Sequence, residues 1–405
     1  MSMAENFMTL EARGGAPRDE DLMSRIAPAV AAAAKFANAV DQEARFPKEA
    51  FDELKAQRLL AIILPRSYGG DGRSVADAAQ VCYALGRVCS STAMIYAMHM
   101  ANVACVLNHG AASERYADYL RRIGREQLLL ASSTTEGQNG ANVRSSASAI
   151  VREGDRISLD RDASVVSYGA AADAIVTTAR RSPDSLPSDQ MLALFFKEDY
   201  ALERTVKWDV MGMRGTCSEG FRFVAKGDSA QVLPESYDKV HRRSMVPVTH
   251  LLWAACWAGV AAGAVERAQC FIRKVSRAQK GALPPGAPYA TQASLSLMNL
   301  TNLVDSATND YLSRMVEPEA LDEISFQTSL NLLKVSASEM AISTVMLAFQ
   351  ACGIAGYRND SEFSVSRPLR DILSSSIMIN NSRILSNVAM SCLIGGVPES
   401  IVKTR

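Results

Sequence analysis

A change of hydrophobic period, made twice, most constrains what this chain can fold into. Up to about residue 128 apolar residues recur at helical spacing, near residue 129 they begin to alternate, and from His241 onward helical spacing returns. A β segment of about a hundred residues between two helical blocks leaves few architectures, because helices bury a stripe and sheets bury a face.

In the first block, Asp21, Met23, Ile26, Val30 and Ala34 begin a helix, and Phe46-Pro47 starts a second helix where proline is tolerated. Phe51, Leu54, Leu59 and Leu60 supply the apolar face of that helix. The run from Leu64 to Gly72 holds three glycines and a proline and reads as a loop. Ser74 is placed to cap the next helix, and the stretch Ala93 to Leu107, apolar nearly all round, predicts a central one. In the second block, Ala147, Ala149 and Val151 alternate with polar residues, Glu153-Gly154-Asp155 turns the chain, and Ile157 and Leu159 alternate again. That is a hairpin signal. Residues 173–180, 191–197 and 221–225 add short β runs, which together predict a small antiparallel barrel or sandwich. In the third block, Thr249 to Arg277 is small and apolar, with Gly259 and Gly263 permitting close helix contact. Residues 291–315 and 322–351 predict two more long helices, and a four-helix bundle with one face left for a partner subunit fits them. The fold class is therefore α+β and mainly α: a helical domain over 1–128, a β domain over 129–236 and a helical bundle over 237–405.

Forty-three basic residues cancel forty-three acidic ones, which argues against nucleic acid or an anionic membrane as partner. No uninterrupted apolar run reaches the ~20 residues of a membrane span. The 251–265 stretch reads as a buried helix, and the N-terminal region lacks the basic-then-apolar order of a signal peptide. Eight cysteines without a CxxC pair point to buried thiols in a reducing cytoplasm, with no metal site.

Four segments carry a resemblance. They are Leu64-Pro65 through Tyr68-Gly69-Gly70; Thr135-Glu136 with Gly140 and Asn142; Met211-Gly212-Met213-Arg214-Gly215-Thr216; and Gln350, Gly353, Gly356 and Tyr357 followed by Arg370-Asp371. In this order they resemble the acyl-CoA dehydrogenase superfamily of flavoproteins, from about residue 20 to 390. The resemblance implies FAD as cofactor, held by Thr135 and Gly140 and by Ser167, which falls on the family's ring-contacting threonine. It places Gln350, Gly353 and, more weakly, Arg277 on the ADP half, against a neighbouring subunit. It implies a homo-oligomer, either a dimer or a dimer of dimers, and an electron-transfer flavoprotein or flavin reductase as redox partner. The substrate would be an acyl-CoA or acyl-carrier-protein thioester, with Asn142, Tyr357 and Ile379 beside it.

Dehydrogenation of a thioester needs a carboxylate that removes the α-proton while a hydride leaves the β-carbon. The family supplies it either eight residues after the Asp of the Arg-Asp pair, here Ile379, or ten before the helix glycine, here Thr249. Neither is acidic. His250 is the nearest titratable residue and the candidate base. Three readings follow: an acyl thioester dehydrogenase with an unusual base; a flavin-dependent monooxygenase of the same superfamily, using reduced flavin and O2; and an inactive flavin- or acyl-binding partner subunit.

Overall fold

The computed structural model describes residues 19–137 and 143–395. Gly140 and Asn142 of the expected site lie outside them.

The N-terminal block holds α1 (Asp19–Gln42), α2 (Lys48–Ala56), α3 (Val75–Gly86), α4 (Ser90–Gly110) and α5 (Glu114–Glu126). Ser74 caps α3 as expected, with a reciprocal bond from its own N–H to the Asp77 carboxylate at 2.9 Å. Almost every residue of α4 is buried, which makes it the central helix of this block.

The middle block is a sandwich of two four-stranded sheets. Its strands are β1 (Leu130–Ser133), β2 (Val151–Glu153), β3 (Arg156–Val166), β4 (Ala174–Arg180), β5 (Gln190–Phe196), β6 (Tyr200–Val206), β7 (Glu219–Asp228) and β8 (Val232–Ser236). One sheet runs β1-β4-β5-β8 and the other β2-β3-β7-β6. The predicted hairpin is β2–β3, with Val151 opposite Ser158. The expectation of a wholly antiparallel block needs one correction: β1 pairs parallel with β4, Leu130 opposite Ala174. β1 arrives from α5 rather than from a hairpin, so nothing forces it to run antiparallel. Phe195 and Phe223, on facing sheets, meet edge to face with centroids 6.0 Å apart.

The C-terminal block begins with α6 (Tyr237–Val240), passes through a π-helical segment (His241–Met245) and continues as α7 (Val246–Ala278). Then come α8 (Ala287–Arg314), α9 (Ile324–Cys352), the single turn α10 (Ile354–Tyr357), α11 (Ser366–Ile372) and α12 (Asn381–Gly395). Helices α7 and α3 approach at glycines. A Cβ on Gly259 would sit 2.3 Å from the Tyr83 carbonyl oxygen, and one on Gly263 would sit 2.2 Å from that of Arg87.

Among the described residues, three helical stretches are long and apolar enough to cross a membrane: Ser90–Gly110, Tyr237–Ala278 and Ile324–Cys352. The sequence reading overlooks them because scattered polar residues interrupt each apolar run. In the first two, 94% of the apolar window is buried inside the fold, against 50% in the third. The first two are hydrophobic all round because protein surrounds them.

Candidate active site

The blocks are joined by the motifs that carry the family resemblance. The Met213 N–H donates to the buried Asp371 carboxylate at 2.6 Å. Arg370 donates to the Met211 carbonyl at 2.6 Å and forms an ion pair with Asp41 at the end of α1. Arg367 reaches the Val88 carbonyl at 2.9 Å. A Cβ on Gly212 would lie 2.2 Å from the Arg370 carbonyl oxygen, so only glycine lets the loop before β7 meet α11. Asp371 is thus a structural acid, its pKa raised first by burial. Glu136 is structural too. It accepts the N–H groups of Ala147 and Ser148 at 2.6 and 3.0 Å and pairs with buried Arg161 at 3.6 Å. Burial brings the Arg161 guanidinium down to about 10.

Against this joint lies a cavity of about 100 Å³. Helix α4 lends it Met98, Ala101 and Asn102, and the end of β1 lends Ser132 and Thr134. The α6–α7 run adds Tyr237, His241, Met245, Val246, Thr249, His250 and Trp253, and Ile379 closes it from the turn before α12. Thr249 and Ile379, the two positions that the resemblance gives for the base, both line this cavity. Among the described residues no carboxylate lines it.

His99 fixes β1 on α4. Its Nε2 donates to the Leu60 carbonyl at 2.7 Å, since a carbonyl can only accept, and its Nδ1 accepts the Leu130 N–H at 3.0 Å. Burial keeps this ring neutral, with a pKa of about 4. Asn102 donates to the Leu130 carbonyl at 3.2 Å, and the Tyr168 hydroxyl donates to it at 2.8 Å. These bonds hold Ser132 and Thr134 at the cavity wall.

Ile379 sits at φ 50°, a left-handed conformation that a β-branched residue adopts only under constraint. The constraint is Lys334 of α9, a fully buried lysine. Its Nζ donates to the Ile379 carbonyl at 2.7 Å, the Asn381 Oδ1 at 2.7 Å and the Ser375 carbonyl at 2.9 Å. Burial pulls its pKa down to about 8.

The structure separates the remaining predicted residues. Thr135 is half-buried, immediately beyond Thr134. Ser167 is half-buried and joins a hydroxyl chain, 2.8 Å from the Ser218 Oγ, which is 2.8 Å from Thr216 Oγ1. Gln350, Gly353 and Arg277 are exposed and stand away from the cavity, at the far ends of α9 and α7. Tyr357 is 68% exposed, packs near Phe349 and is not a wall of the cavity. It closes a surface turn because α10 ends there. His250 lines the cavity, but burial pushes its pKa to about 3, so at neutral pH it is a poor proton acceptor.

Two domain families match the chain. The acyl-CoA dehydrogenase N-terminal domain matches residues 20–127, and the acyl-CoA dehydrogenase C-terminal domain matches residues 244–389. The chain belongs to the acyl-CoA dehydrogenase superfamily. This superfamily member is 26% identical over 363 residues to the cyclohex-1-ene-1-carbonyl-CoA dehydrogenase of Geobacter metallireducens, covering 88% of this chain and 92% of that protein. Its fold matches butyryl-CoA dehydrogenase from Megasphaera elsdenii, with a TM-score of 0.75, 18% identity and coverage of 94% and 100% of the two chains. It matches equally the dibenzothiophene monooxygenase TdsC from Paenibacillus sp. A11-2 in complex with FMN and indole, with a TM-score of 0.80, 18% identity and coverage of 94% and 98%. At such identities these structures share a fold with this acyl-CoA dehydrogenase relative and nothing finer.

The residues present fit a flavin. Ser132 and Thr134 put hydroxyls on the cavity wall at a strand end, and Thr135 and Ser167 add two more nearby. Hydroxyl donors are the chemistry that the polar edge of an isoalloxazine requires.

Proposed function

We propose that the protein is a flavin-dependent oxygenase that uses reduced flavin and O2 to oxidise a compact uncharged molecule. The observation that carries this reading is the cavity itself, where both family base positions, Thr249 and Ile379, are present and neither is acidic. Bound reduced flavin supplies two electrons; one oxygen atom enters the substrate and the other leaves as water. The protein's part is to orient and to exclude water. Ser132 and Thr134 on the cavity wall, with Thr135 and Ser167, would hold the polar edge of the ring, while Met98, Met245, Val246 and Ile379 would keep water out of the cavity.

We assign the flavin as FAD. At the end of α7 a groove of about 750 Å³ is lined by Phe271, Lys274, Ile354, Arg358 and Phe363. Arg273, Arg277 and Lys280 stand exposed at that helix end, and Gln350 and Gly353 lie close by in sequence to the groove wall. Such cations suit the diphosphate of an ADP half. Leu295, Met298, Ile354, Met390 and Leu393 are also exposed on the C-terminal helices. A second copy covering them would share the flavin, so the assembly is a homo-oligomer. A flavin reductase supplies the reduced cofactor.

Dehydrogenation of an acyl-CoA, the activity for which the Geobacter relative is named, is the second reading. It would rest on His250, which follows Thr249 on the cavity wall. Oxygen uptake with reduced FAD supplied by a reductase decides between the two. Substrate-dependent uptake that forms an oxygenated product supports the oxygenase, and uptake that yields only hydrogen peroxide refutes it. Chromatography of the released flavin separates FAD from FMN.

A further inference from the structure

We propose that Ser167 is a hydrogen-bond acceptor and not a donor, and that the flavin site therefore holds reduced flavin more tightly than oxidised flavin. The inference rests on the flavin part of the proposed function and not on the reaction with O2.

Ser167 follows β3 and is half-buried. Ala163 of that strand bridges Glu136, which sets the end of β3 beside the stretch that carries Thr134 and Thr135. The next residue, Tyr168, is pinned twice. Its N–H donates to the Thr216 carbonyl at 2.7 Å, and its hydroxyl donates to the Leu130 carbonyl at 2.8 Å.

Behind Ser167 runs a line of hydroxyls with a fixed direction. Thr216 Oγ1 lies 2.8 Å from the Met213 carbonyl oxygen, and a carbonyl only accepts, so the single hydroxyl hydrogen of Thr216 points there. The 2.8 Å contact between Thr216 and Ser218 must then take its hydrogen from Ser218. Ser218 has none left to give, so its 2.8 Å contact with Ser167 takes the hydrogen of Ser167. The Ser167 Oγ is left with lone pairs alone. Reversal of the line would set the Thr216 and Met213 oxygens 2.8 Å apart with no hydrogen between them. The head of the line is anchored, because the Met213 N–H donates to the buried Asp371 carboxylate at 2.6 Å. Thr216 and Ser218 are buried as well, so each bond in the line strengthens the next.

An acceptor distinguishes the two states of a flavin. The polar edge of the oxidised ring offers acceptors at N1, O2, O4 and N5 and a single N–H, at N3. Reduction turns N5 into an N–H. A lone pair facing N5 is repelled by the oxidised ring and hydrogen-bonded by the reduced one. Such an acceptor suits a site that takes up flavin already reduced.

The test is anaerobic titration of the full-chain protein with oxidised FAD and with dithionite-reduced FAD. The wild type is expected to bind the reduced form about 10-fold more tightly, the scale of one buried hydrogen bond. For a two-electron couple that ratio places the midpoint potential about 30 mV above that of free FAD. Ser167→Ala removes the acceptor and should lower the ratio about 10-fold. Ser218→Ala keeps Ser167 but frees its hydrogen for N5, and should lower the ratio further than Ser167→Ala does. Thr216→Val, which deletes the hydroxyl at the head of the line at constant shape, should act in the same direction. A residue that only packs gives no such order. Near-UV circular dichroism verifies that each variant is folded. Equal binding of both states by the wild type overturns the proposal, as does a folded wild type that binds neither. A ratio unchanged in Ser167→Ala, which a contact at N3 would give, overturns it too. Neither O2 nor substrate enters the measurement, so the two readings fail separately. Preference for reduced FAD without an oxygenated product would defeat the oxygenase, and an oxygenated product without that preference would defeat this inference.

Discussion

Replacing Lys334 by Met removes one charge and little volume, and it tests the buried joint that shapes the cavity wall. The ammonium has three N–H donors, and the structure gives it three acceptors: Ser375 O, Ile379 O and Asn381 Oδ1. Lys334→Met leaves the Ser375 and Ile379 carbonyls without this donor and Asn381 Oδ1 with only the Ser338 hydroxyl at 3.4 Å, at about 1–3 kcal/mol for each buried acceptor left unmet. The turn relaxes in part, so the lower end of the sum applies, a loss of about 3–5 kcal/mol. For a helical block of this size that corresponds to a fall of roughly 6–20 °C in its melting temperature. Calorimetry and urea titration at neutral pH measure it. A second signature is pH dependence. The unfolded lysine keeps its proton up to about 10.5, but the folded one releases it near 8. Unfolding therefore takes up a proton between those values, and the stability of the wild type relative to the variant rises with pH across that window. A variant within about 1 kcal/mol of wild type, or one with the same alkaline profile, would show that the Ile379 turn is not held in this way.

Gly212→Ala drives a Cβ into the Arg370 backbone and should cost more than about 3 kcal/mol or prevent assembly of the domains. Gly154→Ala, at φ 60° in open space, should cost only about 1 kcal/mol, and denaturant titration compares the two. The acid limb is set by buried neutral histidines. His99, His241 and His250 have pKa values lowered from 6.5 to about 4, 4 and 3. Their unfolded forms take up protons first, so their contribution is complete above about pH 6.5 and is lost as pH falls toward 4. Near pH 5 the slope should approach about 4 kcal/mol per pH unit, measurable as up to three protons taken up on unfolding.

Legibility in the sequence followed the range of the interactions. Ser74, the Glu153–Asp155 turn and the close-contact glycines Gly259 and Gly263 act locally or along one helix face, and all were readable. Strands β1, β6 and β8 were not. β1 is four residues long, β6 is largely exposed with charged residues, and β8 contains Pro234. Counting from Asp371 and Gly259 located Ile379 and Thr249, and the fold brought them to one cavity. His99 and Lys334 escaped notice because their partners lie far away in sequence: Leu60 and Leu130 for one, Ser375 to Asn381 for the other. A lone lysine among Leu330, Leu333 and Ala337 was the available signal. Trp253 read as core, and it is buried, but an unmet N–H appears only once its neighbours are placed.

Among the described residues the cavity wall offers no effective base for an acyl thioester at neutral pH. Anaerobic mixing of the FAD-loaded protein with a panel of acyl-CoA thioesters tests it most directly, by the visible band of the oxidised flavin. The spectrum is expected to stay oxidised with every member of the panel. Bleaching of that band by any acyl-CoA, at a rate proportional to enzyme, would contradict the account and restore dehydrogenation.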